Sequence, residues 1–189
     1  MMAKRLGDKV KISKFLSLVL RHKPGDIGLR LDEAGWAEIA ELVEKGSKAG
    51  VKITTELIRQ VVANSDKQRF SISEDGLRVR ANQGHSIAVD LGLEKVEPPR
   101  LLYHGTTIRN LAAIRQQGLI KGNRQYVHLS ADKETAEMVG KRYGRPVVLT
   151  IKAGCMHRDG FSCYLSVNGV WLTDHVPAEY IADFMKGHE

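Results

Sequence analysis

The sequence predicts an α+β protein built from two lobes, residues 1–97 and 98–189. Three observations carry this. Apolar residues recur at helical spacing up to about residue 63, then alternate between Arg69 and Ala81. Pro98 and Pro99 stand together between two apolar stretches, and paired prolines suit neither a helix interior nor a central strand. Beyond them, strand-like runs outnumber helix-like ones and the helices fall early, as expected of a mostly antiparallel sheet.

The first lobe opens with a helix over Ile12 to Arg21. In "KFLSLVLRHKP", Phe15, Leu16, Leu18, Val19 and Leu20 read as its buried side. Arg21, His22 and Lys23 then suit the carbonyl end of the helix dipole, and Pro24 is a stop. On this stretch alone the Arg-His pair reads first as a basic helix end, with chemistry as the alternative. "LDEAGWAEIAELVEKG" predicts a second helix, with Trp36, Ile39, Ala40 and Val43 on one face and Gly46 as its stop. "ITTELIRQVVANS" predicts a third, capped by Thr54 or Thr55 and lined by Leu57, Ile58, Val61 and Val62. "RFSIS" and "LRVRA" flank Asp75-Gly76, a hairpin signal. Phe70 and Ile72 then face Leu77, Val79 and Ala81, leaving Arg69, Ser71, Ser73, Arg78 and Arg80 on the opposite side. Three helices and a hairpin is the layout of a winged helix, a common nucleic-acid-binding module. A small α+β domain with a solvated basic edge fits the pattern equally.

In the second lobe, "RLLYHGT" predicts a strand and "TIRNLAAIRQQGL" a helix stopped by Gly118. "QYVHLSA" predicts a strand, and "DKETAEMVGKRYG" a helix capped by Asp132. "RPVVLTIKAG" predicts a strand with Val147, Val148 and Leu149 all buried. "FSCYLSVNGVWLTDHVP" predicts two short strands joined at Asn168-Gly169.

Composition narrows the classes. The 189 residues are 42% hydrophobic and 27% charged, ordinary for a globular protein. No apolar run is long enough to span a membrane, and the basic start "MMAKRLGDKV" lacks the apolar stretch of a secretory signal, so a cytoplasmic protein is expected, and a monomer because nothing in the sequence demands more. The net charge of +7 favours a polyanionic partner. Up to Arg100 there are 18 Lys+Arg against 14 Asp+Glu, and after it 11 against 8, so both lobes carry the excess. No GxGxxG opens a helix after a strand and there is no GxxxxGK[ST], which argues against a dinucleotide fold of Rossmann type and against a P-loop. Cys155, His157 and Cys163 lie close in sequence but lack a fourth ligand, so buried free thiols are favoured over zinc and no metal is expected.

Two short stretches suggest a polar cleft in the second lobe. "YHGT" puts His104 on a strand beside Gly105 and Thr106. "VHLS" puts His128 and Ser130 on one strand face, opposite Val127 and Leu129. Two satisfied strand histidines would explain the same pattern. Arg21, His22, Arg69 and Arg124 stand out as a set suited to a phosphate, since each guanidinium offers a planar two-point donor. Periodicity does not establish that the four meet.

Taken together, "LSLVLRHKP", "DKQRFSI", "VRANQGHS", "YHGT", "NRQYVHLS" and "NGVWLT" resemble the NAD-dependent RNA (tRNA) 2'-phosphotransferase family, in the family's order, from about Ile12 to a final helix. The resemblance implies a winged-helix RNA-binding lobe followed by an NAD-binding lobe of ADP-ribosyltransferase type. It implies that an internal 2'-phosphate, as left at a tRNA splice junction, attacks the anomeric carbon of the nicotinamide ribose of NAD+ and expels nicotinamide. The 2''-hydroxyl of the ADP-ribosylated intermediate then attacks the phosphate. The products are 2'-hydroxyl RNA and ADP-ribose 1'',2''-cyclic phosphate. Carried over by position, Arg21, His22, Arg69 and Arg124 are implied to be catalytic. His104, Gly105, Thr106, His128 and Ser130 are implied to bind the co-substrate. His22 is either the acid for the leaving RNA 2'-oxygen or a plain phosphate donor. Where protein ADP-ribosyltransferases carry a glutamate, "NGVWLT" offers Val170, and Tyr126 stands where the family pattern has a histidine. Two other readings remain open here: an ADP-ribosyltransferase that stops after the first step on a nucleic-acid end or protein, and a non-catalytic RNA-binding protein.

Overall fold

The computed structural model describes residues 2–65 and 67–182, with side chains from Lys9 onward. The chain divides into two compact units, Met1–Gly92 and Leu93–Glu189. The division falls ahead of Pro98-Pro99, because Lys95 already pairs with Tyr164 and the Val96 N–H donates to the Cys163 carbonyl at 2.9 Å. Every pair of strands is antiparallel, which with the helices gives an α+β protein.

In the first unit, helix α1 runs over Met2–Arg21, ten residues longer at its start than the apolar pattern marks. Ile12, Leu16, Val19 and Leu20 are buried at i, i+4, i+7 and i+8. Leu18, expected in the same layer, is 41% exposed. It follows Leu16 by two residues, about 200° around the helix, so one face cannot bury both. The helix closes when the His22 and Lys23 N–H groups both donate to the Leu18 carbonyl, at 3.0 and 2.9 Å. Pro24–Ile27 then forms a 3-10 turn.

The second helix, α2, covers only Ile39–Lys48. Trp36 is not on it. Asp32 Oδ1 accepts the Trp36 N–H at 2.8 Å, and Gly35 turns the chain at φ +78°, so "LDEAGW" is a local turn. Ala37–Glu38 then forms a short strand, β1. Gly46 is not a stop either. It lies buried inside α2, where a Cβ would meet Ile53 at 3.0 Å and Phe15 at 3.3 Å, so its bareness admits neighbouring side chains. Helix α3, Thr55–Ala63, is capped by Thr54, whose Oγ1 accepts the Leu57 N–H at 3.1 Å.

Strands β2, Phe70–Ile72, and β3, Arg78–Ala81, pair Phe70 with Ala81 and Ile72 with Val79, and β1 adds to the other side of β3. Leu77, expected on the apolar face, sits in the turn and is 60% exposed. The arginine side is partly engaged within the unit: Arg80 stacks over the Trp36 ring at 4.5 Å and Arg78 at 5.7 Å.

In the second unit, β4, Leu102–Thr107, pairs along its whole length with β7, Pro146–Ile151. Helix α4 covers Leu111–Gln117 and ends at Gly118, φ +73°. It is followed by β5, Leu119–Ile120, which pairs with β10, His175–Val176. Strand β6, Val127–Leu129, joins β9, Trp171–Thr173, and β8, Cys163–Leu165, in a second sheet. The Tyr103–Ser130 bridge links β6 to β4. Helix α5, Lys133–Gly140, begins at Asp132, whose Oδ1 accepts the Thr135 N–H at 2.7 Å, and packs on β4. A further helix, α6, Ala153–Arg158, follows β7 late in the unit, so the helices do not all fall early. Of the three β7 residues expected buried together, only Leu149 is. Ile151 is the other buried position, so the strand alternates. The final helix falls on residues beyond Ala182, outside those described.

Candidate functional site

The C-terminal turn of α1 and the start of β2 meet in the first unit. Arg21 lies over the Phe70 ring at 5.6 Å, and its Nη2 donates to the Arg69 carbonyl at 3.3 Å. The segment Asn82–Ser86, which leaves β3, holds this arrangement from the other side. The Asn82 N–H also donates to the Arg69 carbonyl, at 2.9 Å, while its side chain bridges the Gln68 carbonyl and the Ser71 hydroxyl. The Ser86 N–H donates to the Arg21 carbonyl at 2.9 Å, and Ser86 Oγ lies 2.9 Å from His22 Nδ1. Gly84 adopts φ +88°, and a Cβ there would stand 3.5 Å from Arg21 Nη1. Arg21, His22 and Arg69 are therefore tied together by main-chain and side-chain bonds to the Asn82–Ser86 segment and to one another.

Pattern reading missed the residues that do the gathering. Asn82 is 4% exposed and His85 1%. Neither ring nitrogen of His85 has a hydrogen-bond partner among the described residues. Burial, then the charges of Arg21, His22 and Arg80, pulls His85 from its ordinary 6.5 to about 4, so it is neutral at pH 7. An unfolded chain would protonate it at 6.5, so it binds more protons unfolded than folded between pH 6.5 and 4. The stability it permits is whole above that window and falls as pH drops through it, by about 3 kcal/mol in all. Urea unfolding from pH 7 to 4 should show that decline, and His85→Asn should flatten it. A slope unchanged in the variant would refute the assignment. The signal available in sequence was the polar run "ANQGHS", placed directly after an alternating strand.

The remaining expected residues lie in the second unit. His104 Nδ1 donates to the His128 carbonyl at 3.0 Å, and His128 Nδ1 donates to the Tyr126 carbonyl at 3.0 Å. A carbonyl only accepts, so both rings carry the proton on Nδ1 and keep a lone pair on Nε2 when neutral. Burial pushes the His104 pKa down, its carbonyl partner opposes this, and the nearby Arg124 guanidinium pushes it down further. Arg124 itself is exposed, in a turn closed by its N–H to the Lys121 carbonyl at 3.1 Å. Ser130 exchanges both main-chain bonds with Tyr103, at 2.9 and 2.7 Å. Thr106 is buried, with Oγ1 accepting from Asn110 at 3.2 Å. Gly105 is tightly constrained: a Cβ there would sit 1.7 Å from the Ala136 carbonyl oxygen of α5. Packing alone accounts for a glycine at that position. Cys155 and Cys163 are both free thiols.

The likeness to known proteins extends over the same residues. Residues 7–175 match the model of the RNA 2'-phosphotransferase, Tpt1 / KptA family. A probable RNA 2'-phosphotransferase of Flavobacterium johnsoniae is 56% identical over 170 residues, 90% of this chain and 93% of that protein. One of Pectobacterium carotovorum is 58% identical over 171 residues, 90% of this chain and 92% of the relative. One of Streptomyces coelicolor is 55% identical over 172 residues, covering 91% and 93%. With the match spanning both compact units, the chain belongs to the Tpt1 / KptA family of RNA 2'-phosphotransferases.

Proposed function

We propose that this protein removes an internal 2'-phosphate from RNA by transferring it to NAD+. The observation that carries the reading is the gathering of Arg21, His22 and Arg69 by the Asn82–Ser86 segment. Two arginines, each with a planar two-point donor, and an imidazole beside them suit a phosphate dianion. The helix, strand, two helices and hairpin of the first unit support a winged-helix RNA-binding module. For the second unit we favour an ADP-ribosyltransferase-type fold that takes the co-substrate. His104 and His128, with lone pairs left on Nε2, and Ser130 are its proposed polar lining, supported by Gly105 and Thr106 on the same strand as His104.

In the first step the RNA 2'-phosphate oxygen forms a bond to C1'' of the nicotinamide ribose, and the bond to nicotinamide breaks. Nicotinamide leaves neutral from a cationic precursor, so holding the nucleophile in line matters more than a strong acid. In the second, the ribose 2''-hydroxyl attacks phosphorus, its proton is lost, and the RNA 2'-oxygen leaves with a proton. Negative charge builds on the phosphoryl oxygens, where Arg21, Arg69 and Arg124 would stabilise it. Ser86 occupies Nδ1 of His22, so His22 would act through Nε2, as acid or as phosphate donor.

The test is incubation of the protein with a 2'-phosphorylated oligonucleotide and NAD+, with identification of the products. Expected are 2'-hydroxyl RNA, nicotinamide and ADP-ribose 1'',2''-cyclic phosphate. Accumulation of ADP-ribosylated RNA alone would mark an enzyme that stops after the first step. Intact NAD+ with RNA bound would mark a non-catalytic binding protein. We expect a cytoplasmic monomer. Among the described residues, no helix is long and apolar enough to cross a membrane.

A further inference from the structure

A groove of about 560 Å³ runs along the outer side of α1 and ends at His22 and Arg69. Val10, Lys14 and Leu18, each four residues after the last, line it on one side of the helix, and His22 follows just past the helix end. Ser13 and Ser17 run beside them. The line from Val10 to His22 is about 18 Å long at the α-helical rise. That reaches well beyond a single phosphate.

Two features of the groove need explaining. Val10 is 51% exposed and Leu18 41%, whereas Ile12, Leu16, Val19 and Leu20 of the same helix are buried. The described lining also contains no carboxylate, whereas the second groove of this unit, beside Trp36, mixes Arg30 and Arg78 with Asp32, Glu38 and Glu41. Exposed aliphatic side chains with a lysine, two hydroxyls and an arginine suit a ligand with flat faces and a negative backbone.

We propose that this groove seats the single-stranded RNA on one side of the phosphorylated nucleotide, resting on the function proposed above. Lys14 meets a backbone phosphate, Ser13 and Ser17 meet phosphate or ribose oxygens, and Val10 and Leu18 lie under base faces. Ser17 donates its own proton to the Ser13 carbonyl at 2.8 Å, so its oxygen remains an acceptor for a ribose hydroxyl. None of these groups reads a base edge, so the flanking sequence is bound by shape and charge and goes unread. Affinity should rise as the oligonucleotide is lengthened on that one side and then level off.

The experiment measures anisotropy of a labelled, single-stranded 2'-phosphorylated hexanucleotide without NAD+, over a range of salt. Lys14→Ala should weaken binding about tenfold at low salt and reduce the slope of log affinity against log salt by about 0.7. Leu18→Ala should weaken it several-fold with the slope unchanged, since stacking carries no counterions. Lys48→Ala, an exposed residue paired with Glu44 on α2, should bind as wild type. Wild-type affinity in both Lys14→Ala and Leu18→Ala overturns the proposal. So does a loss that tracks a fall in their unfolding midpoints. Wild-type RNA affinity with loss of a dimer in Leu18→Ala would instead give the face to a second copy of the chain. Turnover of the hexanucleotide with NAD+ is measured alongside. Its absence would sink the proposed reaction, while a changed salt slope in Lys14→Ala would still leave the groove as an RNA site.

Discussion

Arg69→Ala should lower turnover of a 2'-phosphorylated oligonucleotide about a thousandfold, the loss typical of removing a preorganised charge donor at a transferring phosphoryl group. It should do so with little change in stability. The main chain carries a structural duty at position 69 that alanine keeps: the Arg69 carbonyl accepts from Arg21 Nη2 and from the Asn82 N–H. Arg69→Lys restores the charge but not the two-point fork, so it should recover less than a tenth of the lost rate. Arg21→Ala should differ. Its guanidinium also stacks on Phe70 and fills the space above Gly84, so activity and unfolding midpoint should fall together. Arg124→Ala is expected to match Arg69→Ala. Single-turnover rates beside urea unfolding separate the cases, and wild-type turnover in Arg69→Ala or Arg124→Ala would refute the assignment.

Gly105→Ala is expected to unfold the second unit or leave it without fixed packing. The added Cβ would lie 1.7 Å from the Ala136 carbonyl oxygen, 2.7 Å from the Ala136 carbonyl carbon and 2.9 Å from the Gly140 nitrogen. All three are main-chain atoms of α5 and cannot turn aside as a side chain can. Gly140 answers from the helix side, where a Cβ would stand 2.9 Å from the Thr106 carbonyl oxygen. Strand and helix thus touch backbone to backbone, and one methyl must push α5 off β4. A cost above about 4 kcal/mol places this among the exceptional single substitutions. Gly25→Ala is the matched control, since a Cβ there meets nothing within 4 Å. Urea unfolding of both decides it, and a Gly105→Ala midpoint equal to wild type would overturn the packing argument.

These two residues also mark what could be read from sequence. Arg69 stands out by residue type, and the hairpin that carries it follows from an Asp-Gly pair between alternating runs, which the Phe70–Ala81 register matches. The Thr54 and Asp132 caps were legible for the same reason, since capping is a local event between neighbours. Contacts made across the fold left no such mark. Gly46 looked like a helix stop until Phe15 and Ile53 were seen against it. Trp36 kept helical spacing with Ile39 and Val43, but the Asp32 turn and the β1–β3 pairing outweighed the periodicity. Leu18 reads as core because five apolar residues among the six from Phe15 to Leu20 cannot show which one the fold will leave outside. His85 and Ser86 lie in a motif the sequence shows, but their roles do not follow from pattern, because they depend on α1, more than sixty positions earlier.

The ring that Arg78 and Arg80 cover is one of two indoles in the chain, and the other, Trp171, lies in the core of the second unit. Each compact unit therefore carries its own fluorophore in unlike surroundings. One lies beneath guanidinium groups, and the other is walled in by Leu129 and Leu165 in paired strands. Replacing Trp171 with phenylalanine would leave an emission belonging to the first unit alone. RNA arriving at the arginine side of the hairpin, or acid unsettling His85, could then be followed by light with no dye attached.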